Sequence, residues 1–163
     1  MRFNALALVS SAIVLGACSG GGESGTTDSA NAAGTGAPAA GTAGTATAMP
    51  ITGTTHEVKM ILDGNSYRFD PANITVKQGD GIRFTTVSGP PHNFGFDPAK
   101  IADDVEAQLR ANMPPGSTDL ESPYQNAPGE SHTISLAGIK PGTYPFHCQP
   151  HLALGMTGVL TIE

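Results

Sequence analysis

The chain has 163 residues, a net charge of −6 and 39% hydrophobic residues. This length suits a single domain with a modest core once the chain ends that cannot fold are set aside. The acidic balance argues against nucleic-acid binding, because nucleic-acid interfaces are strongly basic.

Residues 1–17 are predicted to be a secretory signal, because Arg2 precedes an apolar run too short to span a bilayer. The run ends in the letters LGAC at Cys18, which resemble the lipobox of bacterial lipoproteins, whose cysteine becomes the lipidated first residue. An ordinary small-residue cleavage site is the alternative. We expect a lipoprotein of the bacterial cell envelope, periplasmic or on the cell surface, that touches the membrane only through its anchor at Cys18.

Residues 18–53 are predicted to comprise the lipidated cysteine and a flexible, disordered tether. Between residues 19 and 50 the sequence is almost entirely Gly, Ala, Thr and Ser, with nothing large to bury. As a flexible coil of this length, the tether would have an r.m.s. reach of about 30 Å. The functional domain is therefore predicted over residues 54–163.

Short stretches rich in β-branched and aromatic residues recur through this domain, separated by turn signals such as DGNS, KQGDG and KPGT. The predicted strands are HEVKMIL, SYRF, NITVK, GIRFTTV, HNFGF, SHTISLAG, TYPFHC and MTGVLTI. This pattern predicts an all-β domain, built as an antiparallel sandwich or a small barrel.

One segment departs from the strand pattern. Asp97 followed by Pro98 offers a helix cap and a first turn, and apolar residues then recur every four positions up to Leu109. We predict a short amphipathic helix over 98–110. Residues 103–121 hold five acidic residues and one arginine, and so carry most of the excess negative charge of the domain.

The letters HCQPHLALGM near the C-terminus crowd nitrogen, thiolate and thioether donors together. Strand alternation predicts that Cys148 points inward and His147 outward, and that residues 149–155 form a loop. Cys148, His151 and Met156 have the spacing C-x2-H-x4-M, so their donors can converge on one point. If Cys18 carries lipid, Cys148 has no disulfide partner in an oxidising compartment, which favours a metal-bound thiolate.

A type 1 copper site needs a second imidazole besides these three donors. His92 is the best candidate, because it follows a Gly-Pro-Pro turn and opens a predicted strand, whereas His56 and His132 lie within strands. His132 is predicted to be a packed or half-buried structural residue. Zinc is an alternative metal, although a structural zinc site has no need for a thioether. A free cysteine can also be an inert buried residue, and Met156 a core filler.

From the first predicted strand onward, the chain resembles the plastocyanin and pseudoazurin group of small blue copper proteins. The motifs GPPHNFGFD, YQNAPGESHTISL and GTYPFHCQPHLALGMTGVLTIE occur in the order of that family. The resemblance implies a Greek-key cupredoxin β-sandwich that binds one copper ion. It places His92, Cys148, His151 and Met156 at the four copper-ligand positions, and Asn93 at the position that helps to bridge the two ligand loops.

The implied function is the transfer of single electrons between redox partners, such as a c-type cytochrome or a terminal oxidase or reductase. We expect a monomer that is not an enzyme, because four protein donors leave no open position for a substrate. Electrons would leave through the edge of His151, inside an apolar rim. The residues of that rim are Leu152, Ala153 and Leu154 and, by resemblance, Tyr67, Gly89, Pro90 and Pro91.

Two other functions compete with electron transfer. A periplasmic copper carrier or sink would use the same donors but would have to release its metal. A β-sandwich lipoprotein used for adhesion or assembly would leave the donor set without a purpose. Plastocyanins also place a tyrosine before the ligand cysteine as a side exit for electrons, and the smaller, titratable His147 at that position weakens the expectation of such an exit.

Lipidation of Cys18 is testable without knowledge of the function. We expect the full-length protein, expressed in a bacterial host, to partition into the detergent phase, and the Cys18→Ala variant to remain in the aqueous phase. Equal partitioning of the two proteins would show that the cysteine carries no lipid.

Overall fold

The structure, a computed structural model, describes residues 46–163. The predicted signal, Cys18 and the tether up to residue 45 lie outside the described residues. The strands and the α-helix are β1 (Thr55–Asp63), β2 (Ser66–Asp70), β3 (Asn73–Val76), β4 (Gly81–Thr86), β5 (Gly95–Phe96), α1 (Asp103–Asn112), β6 (Ser131–Ser135), β7 (Gly142–His147) and β8 (Thr157–Ile162). Within the described range, no helix combines the length and apolar character needed to cross a membrane.

The strands form two four-stranded sheets, with the orders β2-β1-β4-β6 and β3-β8-β7-β5. The prediction of an all-β sandwich with one short helix is confirmed. The expectation that the pairing is antiparallel throughout is wrong, because β1 pairs with β4, and β3 with β8, in parallel. The chain changes sheet between β2 and β3 and again between β3 and β4, so β4 returns beside β1 in the same direction.

The core lies between the two sheets and reaches the predicted ligand segments. Tyr144, Phe146 and Cys148 are buried, as alternation along β7 predicts. Phe84 stacks on Phe94 with ring centroids 4.1 Å apart, and the ring of Phe146 meets that of Phe84 edge-on at 5.5 Å. Because Phe94 follows His92 by two positions and Phe146 precedes Cys148 by two, aromatic packing fixes the backbone beneath both predicted ligands.

The helix begins later than the predicted bound of 98. Asp97 instead caps a short 3₁₀ helix, Pro98–Lys100, by accepting a hydrogen bond from Ala99 N at 3.1 Å. The next two residues are extended, and α1 follows from Asp103 to Asn112. The break leaves Ile101 only 5% exposed, so burial of this side chain overrides the helical periodicity of the sequence.

The last residues of the predicted tether lie along the domain. Met49 N donates to Asn112 Oδ1 at 2.9 Å, and Gln108 Nε2 donates to Thr47 O at 3.0 Å. Each bond joins a polar side chain of α1 to the backbone of a residue more than sixty positions earlier in the sequence, a contact that composition does not reveal. Thr47 and Met49 are thus held against α1 by hydrogen bonds.

Asp80 lies directly before β4, and its carboxylate accepts three hydrogen bonds beside the start of β1. The donors are Lys77 N at 3.0 Å, His56 Nε2 at 2.8 Å and Thr54 N at 2.8 Å. These bonds favour the ionised form, led by that from Lys77 N, and lower the pKa of Asp80 from 3.8 to about 2. Asp80 therefore joins the segment before β1 to the turn before β4.

We expect this carboxylate to contribute stability that is complete above pH 4 and is lost as the pH falls from 3.8 towards 2, because the folded-state pKa is the lower one. The free energy of unfolding of copper-free protein, measured by denaturant at several pH values, checks this. The advantage of the wild type over Asp80→Asn should shrink across that window. A difference that is constant between pH 6 and 2 would contradict the assignment.

Candidate metal centre

Three of the four predicted ligands meet at one end of the sandwich. Cys148 Sγ lies 3.6 Å from His92 Nδ1 and 3.4 Å from His151 Nδ1, and the three donor atoms are all within 4.8 Å of one another. Donors that share one metal through bonds of about 2.0 to 2.3 Å lie roughly 3.5 Å apart. The spacing of the sulfur and the two nitrogens therefore fits a shared metal ion.

Hydrogen bonds to backbone atoms hold both the ring and the main chain of His92 in place. His92 Nε2 lies 2.9 Å from Ser88 O, and since a carbonyl can only accept, Nε2 carries the proton and Nδ1 is free to bind metal. The main chain of His92 pairs with Gln125 through two hydrogen bonds, N to O at 3.0 Å and O to N at 2.7 Å. Metal-binding histidines ordinarily donate the N–H of their other ring nitrogen to such an acceptor, which here is the Ser88 carbonyl.

The other two donors lie on a compact turn. The predicted loop 149–155 is largely a 3₁₀ helix, Gln149–Leu154, ended by Gly155 at φ +83°. Cys148 N donates to Met156 O at 3.1 Å, and Met156 N donates to His151 O at 3.2 Å. These two bonds connect the backbone of Met156 to Cys148 and His151, and the Met156 side chain is fully buried.

Asn93 connects the two ligand segments. Its Oδ1 accepts a hydrogen bond from Gln149 N at 2.8 Å, across 56 positions of sequence. Asn93 follows His92 and Gln149 follows Cys148, so this bond helps to set the distance between the segments that carry the two ligands. The bridging role implied for Asn93 by the resemblance is present in the structure.

Burial governs the electrostatics of the centre. It raises the pKa of the Cys148 thiol to about 11, so a neighbouring cation is required to keep the sulfur ionised at neutral pH. Burial also lowers the pKa of His92 and of His151, so both imidazoles are neutral and their lone pairs are available at neutral pH. One ionisable thiol and two neutral imidazoles fit a copper ion.

The exposed edge of the centre is aromatic and apolar. The ring of Tyr67 stacks on that of His151, with centroids 3.7 Å apart and planes 11° from parallel. Leu152 and Leu154 beside His151 are 48% and 63% exposed, so they face solvent. The prediction of an apolar rim here is confirmed for these three side chains.

The other histidines lie apart from the three donors. His56 bonds Asp80, and His132 is half-buried in β6 opposite Phe84, which matches the structural role predicted for it. His147 lies on the outer face of β7 as alternation predicts, but its side chain is only 14% exposed because Glu121 covers it.

Sequence reasoning missed two side chains that support the centre, Gln125 and Glu121. Gln125 is 1% exposed, and its amide accepts from Thr86 N and Oγ1 at 3.2 and 3.0 Å and donates to Phe84 O at 3.2 Å. It lies inside the motif YQNAPGE, but the pairing of that motif with β4 and His92 is a long-range contact that local pattern does not reveal.

Comparison with known proteins now decides the family. A profile of "Copper binding proteins, plastocyanin/azurin family" matches residues 56–163. This chain belongs to that family. Chloroplastic plastocyanin of Oryza sativa subsp. indica is 36% identical over 107 residues, which are 66% of this chain and 62% of that relative. Plastocyanin of Nostoc punctiforme is 32% identical over 115 residues, 67% of this chain and 74% of its own.

A solved structure shows the same fold. The oxidised plastocyanin of Dryopteris crassirhizoma aligns with a TM-score of 0.53 at 32% identity, and the match covers 66% of this chain and all of that one. The predicted cupredoxin fold and the copper cofactor are confirmed. The family profile begins at residue 56, one residue after the start of β1, and so covers all the strands.

The buried amide of Gln125 generates a stability prediction for this copper domain. Gln125→Met keeps a similar volume but removes the hydrogen bonds of the buried amide to Thr86 Oγ1 and Phe84 O, while Thr86 N keeps its bond to Glu130 O at 3.0 Å, so we expect a loss of about 1–3 kcal/mol in the free energy of unfolding. Gln149→Met, a matched change at an exposed side chain, should lie within about 0.5 kcal/mol of the wild type. Equal denaturant midpoints for the two variants would contradict a supporting role for Gln125.

Proposed function

We propose that this protein is a type 1 copper electron carrier of the bacterial cell envelope, held to a membrane by lipid on Cys18. The observation that carries the proposal is the buried group of one sulfur and two imidazole nitrogens within 4.8 Å of one another. The copper family of the chain and the signal-like N-terminus support the same reading.

Four residues are proposed as ligands. His92, Cys148 and His151 supply the strong donors, and Met156 supplies a weak axial thioether. Copper bound in this way provides a one-electron couple between Cu(I) and Cu(II). Asn93 supports the set by fixing the two ligand segments relative to each other.

Rigidity of the ligand set suits an electron carrier. Each proposed ligand is buried, His151 being the most exposed at 7%, and each segment is tied by backbone hydrogen bonds. Donors that keep their positions in both oxidation states keep the reorganisation cost of electron transfer low. A full set of protein donors also leaves no open position at which a substrate could bind, which separates this site from a metalloenzyme site.

The same burial weighs against a copper carrier or sink as the main role. A protein that hands copper to an acceptor exposes its donors to ligand exchange, whereas His92 and Cys148 are fully buried here. Exchange would require the turn between Cys148 and Met156 to open and its backbone hydrogen bonds to break. Retention of the metal is the expected behaviour.

The surface around His151 is the proposed contact with redox partners, such as a c-type cytochrome or a terminal oxidase or reductase. Leu152 and Leu154 present apolar surface beside the imidazole, which favours brief contact without strong charge pairing. Part of the negative charge of the acidic segment 103–121 is paired with basic side chains. Asp104 pairs with Lys140, and Glu106 and Asp119 both pair with Arg110.

The ligand assignment predicts distinct outcomes for two variants. The copper-loaded wild type should show an intense visible band from the Cu(II)–thiolate bond, and Cys148→Ser should abolish it. Met156→Leu should keep copper and colour but raise the reduction potential, because loss of a donor disfavours Cu(II). Absorption spectra and redox titration of the purified proteins check both.

Met113→Leu is the matched control, since Met113 is also buried but lies at the end of α1. It should leave both spectrum and potential unchanged. A colourless copper-loaded wild type, or a visible band that survives Cys148→Ser, would overturn the proposed function. Rapid loss of copper to a weak chelator at neutral pH would favour the carrier or sink instead.

A further inference from the structure

A single carboxylate contacts the neighbours of two proposed copper ligands. Glu121 Oε2 accepts a hydrogen bond from Asn93 Nδ2 at 2.8 Å, and Glu121 Oε1 lies 2.7 Å from His147 Nε2. Asn93 directly follows His92, and His147 directly precedes Cys148. Glu121 therefore touches both ligand segments, although it comes from the chain between them.

The contact continues to the other side of the proposed thiolate ligand. Asn93, which donates to Glu121, accepts from Gln149 N through its Oδ1 at 2.8 Å. Gln149 directly follows Cys148. The carboxylate thus reaches one flank of Cys148 directly, through His147, and the other flank through Asn93.

A glycine provides the room for this arrangement. In the sheet, Gly95 pairs with His147 on one side and forms a bridge with Glu121 on the other. A Cβ at Gly95 would collide with the carboxylate of Glu121. The Glu121 side chain therefore crosses above Gly95 to reach His147, and any larger residue at position 95 would displace it.

The carboxylate is also shielded enough for its charge to act. The Glu121 side chain is 29% exposed and that of His147 14%. Together with Phe96 and Pro145 they line a surface groove of about 420 Å³. A partly buried charge is screened less by salt and water than one on the open surface.

We propose that Glu121 is a positioning residue that holds both flanks of Cys148 and lowers the reduction potential of the copper site. This inference rests on the proposed function. A negative charge near the centre disfavours the electron added on reduction and so stabilises Cu(II). The hydrogen bonds to Asn93 and His147 restrain the segments on which the sulfur and the nitrogen of His92 depend.

The test compares Glu121→Gln with Asp119→Asn in full-length, copper-loaded protein. Both changes remove one negative charge from the same segment without changing side-chain size. Asp119 is 75% exposed, pairs with Arg110 and has a φ of +55°, which asparagine tolerates well, so Asp119→Asn reports the effect of charge alone. A single cooperative thermal unfolding transition for each variant confirms that both are folded.

We expect Glu121→Gln to shift the one-electron equilibrium towards Cu(I) by about threefold to tenfold, where tenfold corresponds to about 59 mV. Asp119→Asn should shift it by less than half as much. In copper-free protein, Glu121→Gln should also move the NMR signals of the Asn93 side-chain amide and of the Gln149 backbone amide, and Asp119→Asn should leave both in place.

Several results would overturn the inference. A Glu121→Gln potential equal to that of the wild type would do so, as would equal shifts in the two variants, which would indicate only long-range charge. Unmoved Asn93 and Gln149 signals would show that Glu121 restrains neither flank. These failures leave the blue, Cys148-dependent spectrum of the wild type intact. Failure of the proposed function would instead appear as a copper-loaded wild type without that spectrum. In that case the NMR comparison of the copper-free proteins still decides whether Glu121 positions the two segments.

Discussion

The hydrogen bond from Gln149 N to Asn93 Oδ1, 2.8 Å long, is the constraint on which the copper centre depends. It joins two segments 56 residues apart, each with a proposed ligand as the immediate neighbour of the bonded residue. Together with the sheet pairing of Gly95 with His147, it sets where the sulfur of Cys148 lies relative to the Nδ1 of His92. Asn93 is only 1% exposed, so bulk water does not compete for this hydrogen bond.

The aromatic core extends this constraint downwards into the sandwich. Phe94 and Phe146 lie two positions from His92 and Cys148, and both pack on Phe84, which belongs to the opposite sheet. The ligand segments are therefore held from below by ring packing and from the side by amide hydrogen bonds. Such a centre changes shape only if the packing between the sheets changes, and interiors packed at this density resist that.

The sequence predicted what depends on local pattern and on a short spacing. Strand alternation located the buried face of β7, and the C-x2-H-x4-M spacing located the turn that ends at Met156. It did not predict the parallel pairing of β1 with β4, the extended break at Ile101 or the contacts of Gln125. Each of these is decided by residues more than twenty positions away or by burial in the assembled core, which no window of sequence contains.

The two histidines on either side of Cys148 have different surroundings, and the difference indicates how electrons leave. His147 is covered by Glu121 and held in a hydrogen-bonded pair, so a partner at that face meets a carboxylate before the imidazole. His151 stacks on Tyr67 and lies beside the exposed side chains of Leu152 and Leu154. Apolar surface can dock and part without breaking ion pairs, which suits a carrier that must release each partner quickly. The end of the sandwich at His151 is therefore the better exit for electrons, and the carboxylate beside His147 acts inward, on the centre, rather than outward on a partner.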